Sequence, residues 1–104
     1  MGFDQYHEPP NELPDETRTF ARMILSVIEE AQAIDWYEQR MAVEKDNEAK
    51  AIMANAQKEE FKHFAMDLEF LLRRKDDWRE IMKRVLFTSG NIVQAGEEAE
   101  EQVD

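Results

Sequence analysis

The chain has 104 residues, 36% of them charged, and a formal net charge of −11. This length allows one small domain, and the acidic excess disfavours nucleic-acid binding, which needs a basic surface. The sequence has no cysteine, which excludes disulfides, iron–sulfur clusters and thiolate zinc sites. No apolar run approaches the roughly 20 residues of a membrane span, and the first residues lack a signal-peptide pattern. We therefore expect a cytoplasmic protein that binds neither nucleic acid nor membrane.

The centre of the chain predicts an all-α fold built on an antiparallel helical hairpin. Residues 15–89 contain neither Pro nor Gly and are rich in helix-forming residues. Asp15 is a candidate N-cap for a first helix over residues 16–44. Asp46 lies in the only turn-like cluster of this region and can cap a second helix over residues 47–74.

The two ends of the chain differ from this centre in composition. Residues 1–14 contain all three prolines and predict an extended arm. A possible capping box of Asp77 and Glu80 begins a short third helix that ends before Gly90. Residues 90–104 become strongly acidic toward their end, which predicts a disordered tail.

The predicted first helix carries an apolar seam that one charged residue interrupts. Steps of three and four residues define this seam and are typical of left-handed helix packing. Its members are Phe20, Met23, Val27, Glu30, Ile34, Tyr37 and Met41. A carboxylate on such a seam is costly unless it is paired or bound to a metal. The second helix is interrupted in the same way at Glu60 and His63, which are three residues apart and share one helical face.

The hairpin brings these three polar residues to one level. Glu30 lies 16 positions before Asp46, and Glu60 and His63 lie 14 and 17 positions after it. At 1.5 Å per residue, all three are about 21–26 Å from the turn. Carboxylates combined with an imidazole suit iron, manganese or zinc. The spacing therefore predicts a metal site.

A single chain supplies only half of such a site. Bundles that bind two irons use a Glu from each of two helices and a Glu-x-x-His from each of two others. Two copies related by a twofold axis would complete a centre for two ions, with Glu60 as the candidate bridging ligand. Two alternatives stay open. One is a di-metal oxidase or peroxidase that uses manganese or mixed metals. The other is a non-catalytic helical adaptor with a buried polar network.

Other residues near the predicted site have structural interpretations. Tyr37 lies on the seam and can hydrogen-bond a site carboxylate, whereas Trp36 is interpreted as a core aromatic residue. The methionines are interpreted as filling gaps in the core. His7, in the arm, is interpreted as a surface residue.

Several runs of the sequence resemble the encapsulated ferritins. The runs are residues 7–9, 27–30, 33–40, 59–66 and 84–88. Two of their features are specific, because the Asp35-Trp36-Tyr37 run and the Glu60-x-x-His63 pair keep the separation that the family has. The likeness extends over about residues 7–92.

This resemblance implies a ferroxidase that oxidises Fe(II) to Fe(III) with dioxygen or peroxide and supplies iron for storage inside an encapsulin nanocompartment. It implies a two-helix protomer with a short third helix, which dimerises into a ferritin-like four-helix bundle. Five such dimers would form a ring-shaped decamer. Two iron ions would bind at each dimer interface, and the encapsulin shell protein would be a further partner.

The resemblance also assigns roles to residues by position. Glu30, Glu60 and His63 from both chains match the iron ligands. Tyr37 and Trp36 match aromatic residues beside the iron centre, which places Tyr37 among the candidate catalytic residues.

An outer metal site is the least well matched part. Glu29 matches one member of a site that attracts ions toward the centre. The family has a second carboxylate where this chain has Gln32, and because a neutral amide binds cations more weakly, we expect a weaker outer site. The short apolar peptide that docks family members into the shell has no counterpart in residues 90–104.

Overall fold

The computed structural model of the chain describes residues 5–103. Within this range the regular structure is helical, with one 3-10 turn followed by four α-helices, and the all-α prediction is confirmed. The 3-10 turn is Pro10–Glu12, and the helices are α1 (Asp15–Val43), α2 (Asn47–Leu72), α3 (Asp76–Val85) and α4 (Ile92–Val103). The chain divides into two compact units, one that ends at Leu71 and one that begins at Leu72. None of the helices in this range is long and apolar enough to cross a bilayer.

The start of α1 differs from the prediction. Pro14, and not Asp15, occupies the N-cap position, and no side chain in the described range caps this helix. The Pro14 carbonyl accepts hydrogen bonds from the backbone N–H groups of Thr17 and Arg18, both at 3.1 Å. Asp15 is the first helical residue, where its negative charge favours the helix dipole without a capping bond. The arm before it is extended only in part, and residues 1–4 of the predicted arm lie outside the described range.

The turn between α1 and α2 agrees with the prediction. Two backbone N–H groups, those of Lys45 and Asp46, donate to the Glu44 carboxylate at 3.1 and 3.0 Å. Asp46 Oδ1 in turn accepts a hydrogen bond from the Ala49 N–H at 2.8 Å, which confirms the predicted cap. Because carboxylates of the turn bond its own N–H groups and the start of α2, the position of this turn is fixed by its own side chains.

The second unit starts α3 without the predicted capping box. Lys75 is the N-cap, and within residues 5–103 no side chain caps the helix. The Glu80 carboxylate instead lies 3.6 Å from Lys83 Nζ, its neighbour three residues on. Two features other than a cap therefore stabilise α3. One is the ion pair along its surface, and the other is the negative charge of Asp76 and Asp77 in its first turn, which favours the helix dipole.

The acidic tail is the main correction, because residues 92–103 form α4 and are not disordered. Gly90 turns the chain in a left-handed conformation with φ of +89°, and Asn91 Oδ1 accepts a hydrogen bond from the Gln94 N–H at 2.9 Å. The helix packs against α3, and Ala99 is 1% exposed. The prediction of disorder used the acidic composition and overlooked the apolar residues that recur every fourth position, at Ala95, Ala99 and Val103.

We predict that Ala99→Glu detaches α4 from α3, because it places an unpaired charge where a methyl group is buried. Backbone amides of residues 92–103 should then exchange hydrogen much faster in mass-spectrometric exchange experiments. The matched control is Gln102→Glu, which adds the same charge to the same helix at an exposed position. Equal protection of α4 in the two variants would show that its packing on α3 does not hold it in place.

Candidate metal centre

Glu60 and His63 are paired on α2, as their spacing predicts. His63 Nδ1 lies 3.0 Å from Glu60 Oε1. The His63 side chain is 48% exposed and the Glu60 side chain 23% exposed, so the pair sits at the edge of the hairpin and not inside it. A cation arriving from solvent can therefore reach both groups.

The distance between these atoms fits two ligands of one metal ion. Nitrogen and oxygen ligands lie about 2.1 Å from a first-row divalent ion, and two such ligands at a right angle are about 3.0 Å apart. The observed separation of His63 Nδ1 and Glu60 Oε1 is 3.0 Å. The pair would need little rearrangement to hold an ion in place of a proton.

Glu30 on α1 is the third predicted ligand and the most perturbed group of the site. Its Oε1 atom is buried and has no hydrogen-bond partner among the described residues. Burial is the largest cause that raises the pKa of Glu30 to about 7, followed by the neighbouring Asp67 carboxyl and the charge of Glu60. The charge of His63 acts in the opposite direction. Glu30 on α1 therefore lies within electrostatic range of Glu60 and His63 on α2.

Asp67 is a neighbour of Glu30 that the sequence alone does not single out. It lies one helical turn after His63 on α2, and its carboxyl faces Glu30. When both acids are ionised, neither has a proton to donate, so a hydrogen bond between them requires that one is neutral. The signal in the sequence was the spacing, because Asp67 continues the Glu60-His63 row by four residues.

Within one chain the site is incomplete. No three His, Asp or Glu side chains of residues 5–103 lie close enough together to hold a metal ion. The face of α2 that carries His63 also bears Ile52, three turns earlier, and Met66, at the next turn. Their side chains are 66% and 62% exposed. These two exposed apolar side chains lie on the same face of α2 as His63, one on either side of it along the helix.

The aromatic residues after Glu30 have different environments. Tyr37 is half-buried, and the Arg40 guanidinium lies 5.3 Å from the centre of its ring. Trp36 is 52% exposed, so the interpretation of Trp36 as a core residue is wrong for the single chain. It lies seven residues after the exposed Glu29 and so shares its stripe, which is the outer face of α1 and not the seam.

Two exposed charges beside the site are already balanced. Lys62 Nζ lies 2.8 Å from Glu59 Oε2, and the hydrogen bond from Lys62 lowers the pKa of Glu59. Glu59 and Glu60 are neighbours in sequence but belong to different faces of α2. Glu60 contacts His63 and Glu59 pairs with Lys62, which makes Glu59 a matched control for Glu60.

Known proteins match most of the chain. The profile of the family described as EncFtn-like matches residues 5–89. A "Ferritin-like protein" of Thermotoga maritima is 41% identical over 95 residues, covering 91% of this chain and 83% of that protein. An "Encapsulated ferritin-like protein" of Rhodospirillum rubrum is 45% identical over 86 residues, which is 83% of this chain and 61% of that longer protein.

A solved structure has the same fold. The crystal structure of protein ne0167 from Nitrosomonas europaea superposes with a TM-score of 0.81 and 45% sequence identity, covering 86% of this chain and 98% of that one. The residues that the family profile matches include both long helices, α1 and α2. Helix α4 lies beyond the residues that the family profile matches.

We predict that the raised pKa of Glu30 makes the metal-free fold lose stability as pH rises. Glu30 binds a proton more tightly in the folded protein, at about 7, than at its ordinary value of 4.5. Its stabilising contribution is therefore complete below about pH 4.5 and is lost as pH rises to about 7. Urea unfolding in the presence of a chelator should show this loss in the wild type relative to Glu30→Gln. If the free energies of unfolding of the two proteins change in parallel with pH, the prediction is contradicted. The contributions of carboxylates that both proteins contain, such as Glu59, cancel in this comparison.

Proposed function

This chain belongs to the EncFtn-like family, and we propose that it is a ferroxidase, which oxidises Fe(II) to Fe(III) at a centre shared between two copies. The resemblance to encapsulated ferritins is confirmed by the family match and by the two relatives. The observation that carries the proposal is the Glu30 carboxylate. Its buried Oε1 has no partner within the described range, and it faces the Glu60-His63 pair.

The donor set suits Fe(II) as the substrate. Glu30, Glu60 and His63 offer oxygen and imidazole nitrogen ligands, which bind first-row divalent ions. Burial, Asp67 and Glu60 all disfavour the charged form of Glu30, and a bound cation favours it, so Fe(II) would displace the proton that this carboxyl holds near neutral pH. The charged carboxylates would then favour the product, because they attract Fe(III) more strongly than Fe(II).

The two Fe(II) ions that a pair of half-sites would bind supply the number of electrons that the oxidant needs. Each Fe(II) gives up one electron, and the reduction of dioxygen to peroxide takes two. Glu30, Glu60 and His63 from two copies would bind two Fe(II) ions side by side, with Glu60 as the bridging ligand. Tyr37 lies on the same seam as Glu30 and would act beside the centre. Glu29, on the outer stripe, would attract ions toward it.

The same face explains how two copies would meet. Ile52 and Met66 are exposed on the face of α2 that carries His63, and pairing two such faces would cover them while joining the half-sites. We extend the proposal to the assembly of five dimers in a ring. The name of the Rhodospirillum rubrum relative describes an encapsulated protein, which supports a place inside an encapsulin shell, with iron storage as the outcome.

We predict that Glu60→Ala and His63→Ala each lower the rate of Fe(II) oxidation by more than about 10-fold, since even outer-sphere changes at metal sites cost 10–100-fold. Anaerobic loading with Fe(II), followed by air and absorbance of the ferric product, measures this. Glu59→Ala is the control, because its carboxylate pairs with Lys62. Glu29→Ala should slow uptake more than the oxidation step. Wild-type rates in Glu60→Ala would rule out this centre.

We also predict that metal shifts the protein toward dimers or multiples of dimers. Binding stabilises the state that holds the completed site, by about 2.7 kcal/mol at a metal concentration 100 times the Kd. Sedimentation velocity with and without Fe(II) under anaerobic conditions measures the shift. His63→Ala should not respond to the metal. A protein that binds Fe(II) at micromolar concentration and stays monomeric would refute the shared centre.

A further inference from the structure

One polar side chain is buried between the two long helices. Gln57 on α2 is 8% exposed. Its Nε2 donates one hydrogen bond to the Ile34 carbonyl oxygen at 3.1 Å and another to Glu38 Oε1 at 3.0 Å. Both acceptors belong to α1 and are four residues apart, so they lie one above the other on the same face. The two N–H groups of one amide therefore join α2 to two successive turns of α1.

An amide at this place is not the most stabilising choice. The net gain from a buried hydrogen bond is small, because the same groups form hydrogen bonds with water in the unfolded chain. A leucine would bury more apolar surface at the same position. Buried amides at helix interfaces are known instead to select one register of the helices at some cost in stability. Gln57 has the placement and the bonds for such a role.

These bonds lie close to the predicted ligands along both helices, so the register that they fix also sets the position of Glu30. Ile34 is one turn after Glu30 on α1, and Gln57 is three residues before Glu60 on α2. A shift of α1 by one residue would move Glu30 by about 1.5 Å along the helix and turn it by about 100°. Metal and catalytic sites require side chains to be held within about 0.5 Å.

We propose that Gln57 is a positioning residue of the metal centre, which fixes the register of α1 against α2 through Ile34 and Glu38 and so holds Glu30 opposite Glu60 and His63. This role rests on the proposed function only in that the centre binds a divalent ion. The side chain does not contact the ion. It acts through α1, on the Ile34 carbonyl oxygen and the Glu38 carboxylate.

The test compares Gln57→Leu with Asn55→Leu, which makes the same kind of change at an exposed position of α2. The full-length protein is titrated with Co(II) under anaerobic conditions, and the visible absorption of bound Co(II) reports the geometry of its ligands. Thermal melting with a chelator reports the stability of the metal-free fold. We expect Gln57→Leu to melt at the wild-type temperature or above it, to bind Co(II) about 10-fold more weakly and to show a changed spectrum. Asn55→Leu should match the wild type in binding and spectrum.

A second variant keeps the test decisive if Gln57→Leu does not fold. Glu38 is exposed, and Glu38→Ala removes one of the two acceptors, so its Co(II) affinity should lie between those of the wild type and Gln57→Leu. Wild-type Co(II) affinity and spectrum in Gln57→Leu, or in Glu38→Ala if Gln57→Leu does not fold, would overturn the proposal, as would a lower melting temperature with an unchanged spectrum. If Co(II) binding weakens as expected but the wild type does not oxidise Fe(II), the positioning role stands and the ferroxidase function falls.

Discussion

The constraint on which the first unit depends is the Glu30 carboxylate, whose buried Oε1 has no partner among the described residues. Burial, Asp67 and Glu60 all disfavour its charge, and only His63 favours it. In the metal-free protein a bound proton removes this disfavoured charge, which is why the pKa of Glu30 rises to about 7. A divalent cation is the stronger remedy, because it also offsets the charges of the neighbouring acids.

Placing that carboxylate requires control of the hairpin at two points. The turn is fixed by the carboxylates of Glu44 and Asp46, which accept backbone N–H groups at the helix ends. The helices are joined again by Gln57, near the level of the ligands. The turn alone would leave two long helices some freedom to slide against each other, and the position of Glu30 relative to α2 would vary with it. The second connection close to the site removes that freedom.

The sequence predicted the parts of this design that follow from spacing. It predicts Glu30, Glu60 and His63 as ligands because a charge on an apolar seam is unusual and because counting from Asp46 gives their height along the helices. Asp67 and Gln57 were missed, since an acid or amide near a seam is common and only the facing helix shows what it touches. The acidic composition of residues 97–104 led to a prediction of disorder in place of α4, where burial of Ala99 outweighs charge repulsion. Trp36 was misassigned because apolar character does not tell which face of α1 it occupies.

The charges of the site also bear on the choice between a metal centre and a polar network that only sets the register of a dimer. A self-sufficient network matches each acceptor with a donor and each charge with its opposite. Here three acids, Glu30, Glu60 and Asp67, share one imidazole, that of His63. A second copy of the chain brings the same residues, so a symmetric dimer doubles the deficit of positive charge and does not cancel it. Protons offset it only by keeping an acid neutral near pH 7. The arrangement therefore favours a cation as the missing component, and it assigns to Gln57, which is neutral and fully engaged with α1 through Nε2, the register role that the charged residues cannot fill.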